Sequence, residues 1–141
     1  MAEIDWARVQ SHFGISDANL EKVKRSPNLV RLMKAAPRIV RTRLVCEVVS
    51  AQHCAHGLKD GQRYVLTCHG HILTDQCTAP LCAYLIAPLA MLLPRVVHDR
   101  ICEGLDPNGM VWDHVRCLDT GLECGGLGEV SMKVWAEQIP K

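Results

Sequence analysis

The fold is decided at residues 42–51, which read TRLVCEVVSA and interrupt a helical pattern. Before them, apolar residues recur every three or four positions, as in helices, whereas this stretch is rich in β-branched residues, as strands are. The letters KDGQ at 59–62 carry a turn signal, and RYVLT at 63–67 follows as a partner strand. We therefore expect a β-hairpin. Its loop carries three side chains with possible chemistry, His53, Cys54 and His56.

Elements on both sides of the hairpin complete the predicted fold. Residues 4–37 favour three short helices, and residues 78–104 are apolar on nearly all sides, which is typical of a buried helix. Pro88 and Pro94 must kink this helix or divide it into segments. Two more strands are predicted, at 110–119 and 127–139. The sequence thus predicts an α+β fold: a small antiparallel four-stranded sheet packed on one long Pro-broken helix, with a helical N-terminal extension.

The charge distribution suggests two parts, a basic helical N-terminal extension (residues 1–43) and a cysteine-bearing α+β core domain (residues 44–141). Residues 22–43 carry eight Lys and Arg and no Asp or Glu. Such a run could bind nucleic acid. The favoured interpretation is a basic helical face that docks on the acidic remainder of the chain or is solvated, so nucleic acid is not an expected partner. The apolar stripe of the third helix is expected at Leu29, Leu32, Met33 and Ala36.

The predicted location is the cytoplasm. The first ten residues, MAEIDWARVQ, lack the apolar segment of a secretory leader. The most apolar run, residues 80–94, is shorter than the roughly 20 residues that span a bilayer, so no membrane association is expected. Cytoplasmic thiols stay reduced, which makes the eight cysteines core residues, metal ligands or reactive thiols rather than disulfides.

The cysteine positions favour ligands over core filling for five of the eight. Cys46 and Cys102 lie on apolar elements and are expected to fill the core. Five further cysteines are candidate ligands because they lie where the predicted elements end: Cys54, Cys77, Cys82, Cys117 and Cys124. A helix start favours the thiolate form, and loop ends allow ligands to converge without breaking a strand ladder. Three or four such thiolates could hold an iron–sulfur cluster or a tetrahedral zinc ion.

Five motifs carry a resemblance to a known family: the hairpin-loop pair HC, then KDGQ, CTAPLCAYLIAPLAMLLP, RCLDTG and ECGGLGEVSMKV. From about Leu44 to Glu137 the chain resembles a family of small, functionally uncharacterised cysteine-bearing proteins common in anaerobic bacteria and archaea. The resemblance implies recurring cysteines at Cys54, Cys82 and Cys117, with Cys77 and Cys124 recurring in a longer subgroup. It also places Leu58 where relatives carry a histidine, which argues against a role for an imidazole at that spot.

Three functions are open at this point. The first is a small cysteine-ligated metalloprotein, with a [4Fe–4S] cluster on Cys54, Cys82 and Cys117 and either an open iron or a fourth thiolate from Cys77 or Cys124; zinc is the competing metal. It would act as a small enzyme or as the small subunit of a larger one. The second is a metal-free thiol enzyme in which Cys54 is the nucleophile and His53 or His56 the base. The third is a non-catalytic module that binds a larger subunit or a second copy.

The Asp-Thr-Gly segment after Cys117 has a simpler expected role. Asp119 precedes a turn, and a short carboxylate in that position commonly accepts hydrogen bonds from backbone N–H groups further along the turn. We therefore expect Asp119 to stabilise its own turn rather than to take part in chemistry.

Overall fold

A computed structural model describes residues 3–140 of the chain, so residues 1, 2 and 141 of the two predicted parts lie outside the described residues. Three helices come first: α1 (Trp6–Phe13), α2 (Asp17–Arg25) and α3 (Pro27–Ile39). The hairpin strands β1 (Thr42–Gln52) and β2 (Arg63–Thr67) follow, and then α4 (Ala83–Pro94), which continues into a π-helical segment (Arg95–Ile101). The chain ends with β3 (His114–Arg116), a 3₁₀ turn (Leu122–Cys124) and β4 (Glu129–Gln138).

The four strands form one antiparallel sheet in the order β2–β1–β4–β3, which confirms the predicted α+β class. β1 and β4 pair along nearly their whole length, with one irregularity between Val48 and Ser50. The strand expected at 110–119 is wrong in extent, because only His114–Arg116 pair with β4. Val111 and Trp112 just before it are 89% and 81% exposed, so these apolar residues do not mark a buried strand.

One face of the sheet, α4 and the π-helical segment enclose the hydrophobic core. Val48, Tyr64 and Met132 of the sheet are almost fully buried against Leu85 and Leu89 of α4. Burying one such aliphatic side chain contributes roughly 1.5–3 kcal/mol to folding. This packing fixes the direction of α4, and therefore the position of its first residues at one end of the sheet.

The N-terminal helices begin as their sequences predict. Ser16 and Ser26 cap α2 and α3 by accepting hydrogen bonds from the N–H groups of Asn19 and Leu29, and Pro27 occupies the first position of α3. The expected apolar stripe of α3 is wrong at one edge. Leu29 is 39% exposed, whereas the buried positions are Ala35 and Ile39. They lie on the side of α3 that contacts the π-helical segment, a neighbour that the helical pattern alone does not locate.

The basic face of α3 docks on the end of the π-helical segment. Arg31 forms an ion pair with Glu103, and the Arg38 guanidinium donates to the carbonyl oxygens of Ile101 (3.3 Å) and Leu105 (3.1 Å). A cation is favourable there because helix C-termini present unpaired carbonyl groups. Among residues 3–140, no helix is both long and apolar enough to cross a membrane.

Candidate functional site

A small pocket of about 80 Å³ at one end of the sheet brings three of the five candidate cysteines together. β1 ends there and β4 begins there, since Gln52 pairs with Glu129. The β1–β2 loop and the segment between β3 and β4 therefore meet at the same end, where the start of α4 also lies. The pocket is lined by Cys54, Ala55, His56, Leu58, Cys82, Tyr84, Leu85, Cys117, Asp119, Gly128 and Val130.

The β1–β2 loop presents Cys54 through two tight turns. His53 has a left-handed backbone with φ of 50°, which is uncommon for a residue with a side chain and reverses the chain at once after β1. The Cys54 carbonyl oxygen then accepts the N–H of Gly57 at 3.0 Å. The expected turn at 59–62 is present, because Gln62 N–H donates to the Lys59 carbonyl at 3.2 Å. These turns hold Cys54 half-buried and leave the His56 side chain exposed at the pocket mouth.

The start of α4 presents Cys82. Its backbone is extended (φ −128°, ψ 118°), and its carbonyl oxygen accepts the first helical hydrogen bonds, from Leu85 and Ile86. The side chain is buried but forms no capping hydrogen bond to the first turn. Cys82 thus occupies the N-cap position without performing the usual capping role, and its sulfur remains available to the pocket.

Pro88 links α4 to the segment that carries Cys117. A proline inside a helix has no N–H, so the carbonyl four residues earlier, that of Tyr84, loses its helical donor. In this structure the Tyr84 carbonyl accepts the N–H of Leu118 at 3.2 Å instead. Because Cys117 precedes Leu118 directly, this hydrogen bond holds Cys117 near Cys82. Neither Tyr84 nor Pro88 was a predicted site residue, although a proline at a helix interior was a signal for a freed carbonyl.

Asp119 holds the rest of this segment, as expected. Its carboxylate accepts the N–H groups of Gly121 (3.1 Å), Leu127 (2.9 Å) and Gly128 (2.8 Å). These backbone hydrogen bonds, that of Gly128 foremost, lower the pKa of Asp119 below its ordinary value. With both of its oxygens occupied, the carboxylate is a structural group of the loop.

Two glycines allow the loop to close against Cys54. A Cβ on Gly126 would lie 2.2 Å from an Asp119 carboxylate oxygen and 2.7 Å from the Gly121 nitrogen. A Cβ on Gly128 would lie 3.2 Å from the His53 carbonyl oxygen and 3.5 Å from the Cys54 Cα atom. The glycines of the ECGGLG sequence therefore permit close backbone packing between the two cysteine-bearing loops.

Three of the predicted site residues lie outside this pocket. The Cys77 sulfur accepts the Val65 N–H at 3.3 Å and donates to the Leu73 carbonyl at 3.2 Å, so it closes the free edge of β2. Cys124 lies in the 3₁₀ turn with an exposed side chain, and His53 is also exposed and does not line the pocket. The structure thus gathers Cys54, Cys82, Cys117 and His56, and leaves Cys77, Cys124 and His53 apart from them.

Burial identifies the cysteines that serve as core residues. It raises the pKa of Cys46 to about 12 and that of Cys68 to about 11, so both are neutral thiols at physiological pH. Burial also raises the pKa of Tyr64 to about 12, and the proximity of Cys82 adds to the shift. The Tyr64 hydroxyl donates to the Pro80 carbonyl at 2.5 Å. Tyr64 therefore anchors the chain just before Cys82.

The spacing of the pocket thiols bears on what they could bind. Within residues 3–140, no three His, Cys, Asp or Glu side chains form a group that could hold one metal ion. Two sulfurs on one ion lie about 4 Å apart, given metal–sulfur bonds of about 2.3 Å, whereas cysteines of a cluster bind different irons and lie farther apart. As placed, the described side chains therefore do not form a group that would hold a single ion such as zinc.

Comparisons with known proteins assign no family. No family model, no curated protein and no solved structure matches this chain. The interpretation of the pocket therefore depends on its residues and their geometry, and the resemblance drawn from the motifs stays a prediction.

Proposed function

We propose that this protein is a small cytoplasmic metalloprotein that binds an iron–sulfur cluster through Cys54, Cys82 and Cys117. The observation that carries the proposal is the convergence of these three cysteines, from three separate elements, on one pocket. The remaining cysteines are buried in the core, hydrogen-bonded at the sheet edge or placed away from the pocket. The protein would act as a small enzyme or as the small subunit of one.

The proposed cluster would have one open position. A [4Fe–4S] cluster on three thiolates keeps one iron without a cysteine, and such an iron can polarise a substrate oxygen or sulfur. Leu58, Leu85 and Val130 line the inner part of the pocket and exclude water from it. His56 supplies an imidazole to the pocket lining and would be the group that passes protons to or from a bound substrate.

The metal-free thiol enzyme is the weaker candidate. It requires Cys54 to be activated by a neighbouring imidazole, within hydrogen-bond reach in the usual arrangement. In the described part of the chain, the Cys54 sulfur forms no hydrogen bond with His53 or His56, and His53 does not line the pocket. That function also gives no role to Cys82 and Cys117, which share the pocket with Cys54.

Single cysteine variants purified without oxygen test the proposal. In Cys54→Ala, Cys82→Ala and Cys117→Ala we expect iron and acid-labile sulfide per chain to fall by more than half, because each change removes one ligand of about three or four. Cys102→Ala is the matched control, since Cys102 is half-buried at the far end of the π-helical segment. It should keep the wild-type absorption spectrum and iron content.

Two other results would redirect the assignment. A wild-type protein that carries about one zinc and no sulfide would favour the zinc alternative. A metal-free protein in which iodoacetamide inactivates Cys54 stoichiometrically would favour the thiol enzyme. If Cys102→Ala lost iron as readily as Cys54→Ala, the loss would reflect general destabilisation, and the assignment of the three ligands would fail.

A further inference from the structure

A larger pocket, of about 290 Å³, lies between α3 and the end of the π-helical segment. Its buried lining includes Ala35 of α3 and Ile101 of the π-helical segment. The volume is close to the lower end of the roughly 300–1,000 Å³ that is usual for small-molecule sites. Cys82 lies at the opposite end of the helix that α4 and the π-helical segment form together, so this pocket has no part in the thiol site.

Positive charge dominates the lining of this pocket. Arg31, Lys34 and Arg38 all line it from α3, where spacings of three and four residues place them on one face of the helix. Glu103 is the one carboxylate among the lining residues, and the Cys102 thiol adds no charge, because burial raises its pKa. Three positive charges and one negative charge leave the lining with a net charge of +2 near neutral pH.

The three cations differ in the partners that they already have. Arg31 pairs with Glu103, and the two terminal nitrogens of Arg38 donate to the carbonyls of Ile101 and Leu105, which holds this guanidinium at the pocket wall. Lys34 is exposed and forms no ion pair within residues 3–140. The Lys34 ammonium and the remaining guanidinium N–H groups can therefore donate to a bound acceptor.

The net charge and the donor types favour a phosphoryl group as that acceptor. A phosphate monoester carries a charge of about −1.5 to −2 at pH 7 and has three strong acceptor oxygens, whereas a carboxylate would balance half of the charge of the lining. Guanidinium groups match phosphate geometry, and lysine adds a point charge. An anion in the pocket would also relieve the repulsion between like charges three and four residues apart on α3.

The other basic residues favour a small ligand over a nucleic acid. Only three of the eight cations of residues 22–43 line the pocket. Lys24 pairs with Glu21 on α2, and Arg43 pairs with Glu137 on the sheet. The basic run is thus divided among separate parts of the fold, whereas nucleic-acid binding proteins present a continuous basic patch or stripe.

We propose that the pocket between α3 and the π-helical segment binds a dianionic phosphoryl group, that of free phosphate or of a small phosphate monoester, through Arg31, Lys34 and Arg38. Binding is noncovalent, and no bond is broken. Glu103 opposes it, because its carboxylate repels the anion and occupies part of Arg31. The proposal does not depend on a metal at the thiol pocket.

Calorimetric titration of the full chain at low ionic strength tests the ligand class, with inorganic phosphate, AMP and adenosine as probes. Phosphate and AMP should each saturate one site per chain, and adenosine, which lacks the phosphoryl group, should not bind. AMP that binds more tightly than phosphate identifies a monoester as the ligand, and equal dissociation constants identify free phosphate. If neither phosphate nor AMP gives saturable binding, the proposal is overturned.

Two charge variants should shift the AMP dissociation constant in opposite directions. Lys34→Gln should weaken binding about tenfold, through the loss of one hydrogen bond from a charged donor. Glu103→Gln should strengthen binding, because it removes the opposing charge and frees Arg31 from its ion pair. Both side chains are exposed, so neither change removes a core contact.

Matched controls make the same charge changes outside the pocket. Lys22→Gln lies in the same basic run but on α2, and Glu123→Gln lies in the 3₁₀ turn. Both should keep the wild-type dissociation constant. Equal weakening in Lys34→Gln and Lys22→Gln would show that only net charge matters and would overturn the site. A single-stranded oligonucleotide without terminal phosphates that bound as tightly as AMP would overturn it in favour of nucleic acid.

Discussion

Among single residues, Asp119 has the most local influence on the site. Its carboxylate accepts three backbone N–H groups within residues 117–128, a segment that carries Cys117 at one end and Gly128, packed on Cys54, at the other. The Asp119 side chain thus supplies hydrogen bonds to backbone N–H groups that, in a helix or a strand, would bond to other backbone groups. Removing its charge should loosen Cys117 relative to Cys54 without touching either cysteine.

The variant Asp119→Asn is expected to lower the free energy of unfolding in a pH-dependent way. The folded pKa of Asp119 lies below its unfolded value of about 3.9, so its stabilisation is fully present above about pH 5 and is lost as the pH falls below 4. The difference in stability between wild type and variant should be largest at pH 7 and should shrink toward pH 3. Urea unfolding at a series of pH values measures it.

Asp75→Asn is the control for that series, because Asp75 is an exposed carboxylate outside the pocket segments. Its stability should track that of the wild type at every pH. A difference between wild type and Asp119→Asn that stayed constant from pH 7 to pH 3 would show that the carboxylate charge has no part in holding the loop.

At the residue level, the sequence allowed part of the site to be predicted. The role of Asp119 in its own turn is confirmed, because the Asx pattern is local and needs no information about distant residues. Sequence position alone did not distinguish the cysteines that share the pocket from those that lie elsewhere. Cys77 and Cys82 both precede α4, but the Cys77 sulfur bonds to the backbone of β2, a contact that exists only after the segment folds along that strand.

At the level of elements, Pro88 couples α4 to the loop that carries Cys117. Pro88→Ala restores an N–H that competes with Leu118 for the Tyr84 carbonyl. We expect the Leu118 amide to exchange with solvent about fivefold faster, which corresponds to the loss of one hydrogen bond of about 1 kcal/mol. Hydrogen exchange followed by NMR on the metal-free protein measures this directly and does not depend on the cluster.

Pro37→Ala tests whether that effect is specific. Pro37 is also inside a helix, α3, but this helix does not line the pocket. Its replacement should leave the Leu118 exchange rate unchanged. Global stability should not fall in either variant, because alanine is up to about 3 kcal/mol more favourable than proline inside a helix. Equal protection of Leu118 in Pro88→Ala and wild type would contradict the coupling.

The elements themselves were largely predictable because their signals are local. Ser16, Ser26 and Pro27 mark helix starts, and Gly61 marks the hairpin turn, and the structure has both features. Pro94 marked a division of the long helix, and α4 does end there. The π geometry of the segment that follows and the shortness of β3 had no local signal, because they depend on how the helix packs on the sheet and on a single partner strand.

At the level of the whole molecule, the fold brings together cysteines that are 28 and 35 residues apart in the sequence. The antiparallel order of the sheet places two loops at one end, and the core contacts of α4 direct its first residue to the same end. The convergence of Cys54, Cys82 and Cys117 is therefore a product of the whole topology. We propose that this arrangement holds an iron–sulfur cluster.

The most direct test of that claim is the iron and acid-labile sulfide content of the wild-type protein purified without oxygen, measured together with its absorption spectrum. We expect about four irons and about four sulfides per chain, with a visible absorption that oxygen bleaches. Protein that folds as described but carries neither iron nor sulfide after reconstitution with ferrous iron and sulfide would contradict it.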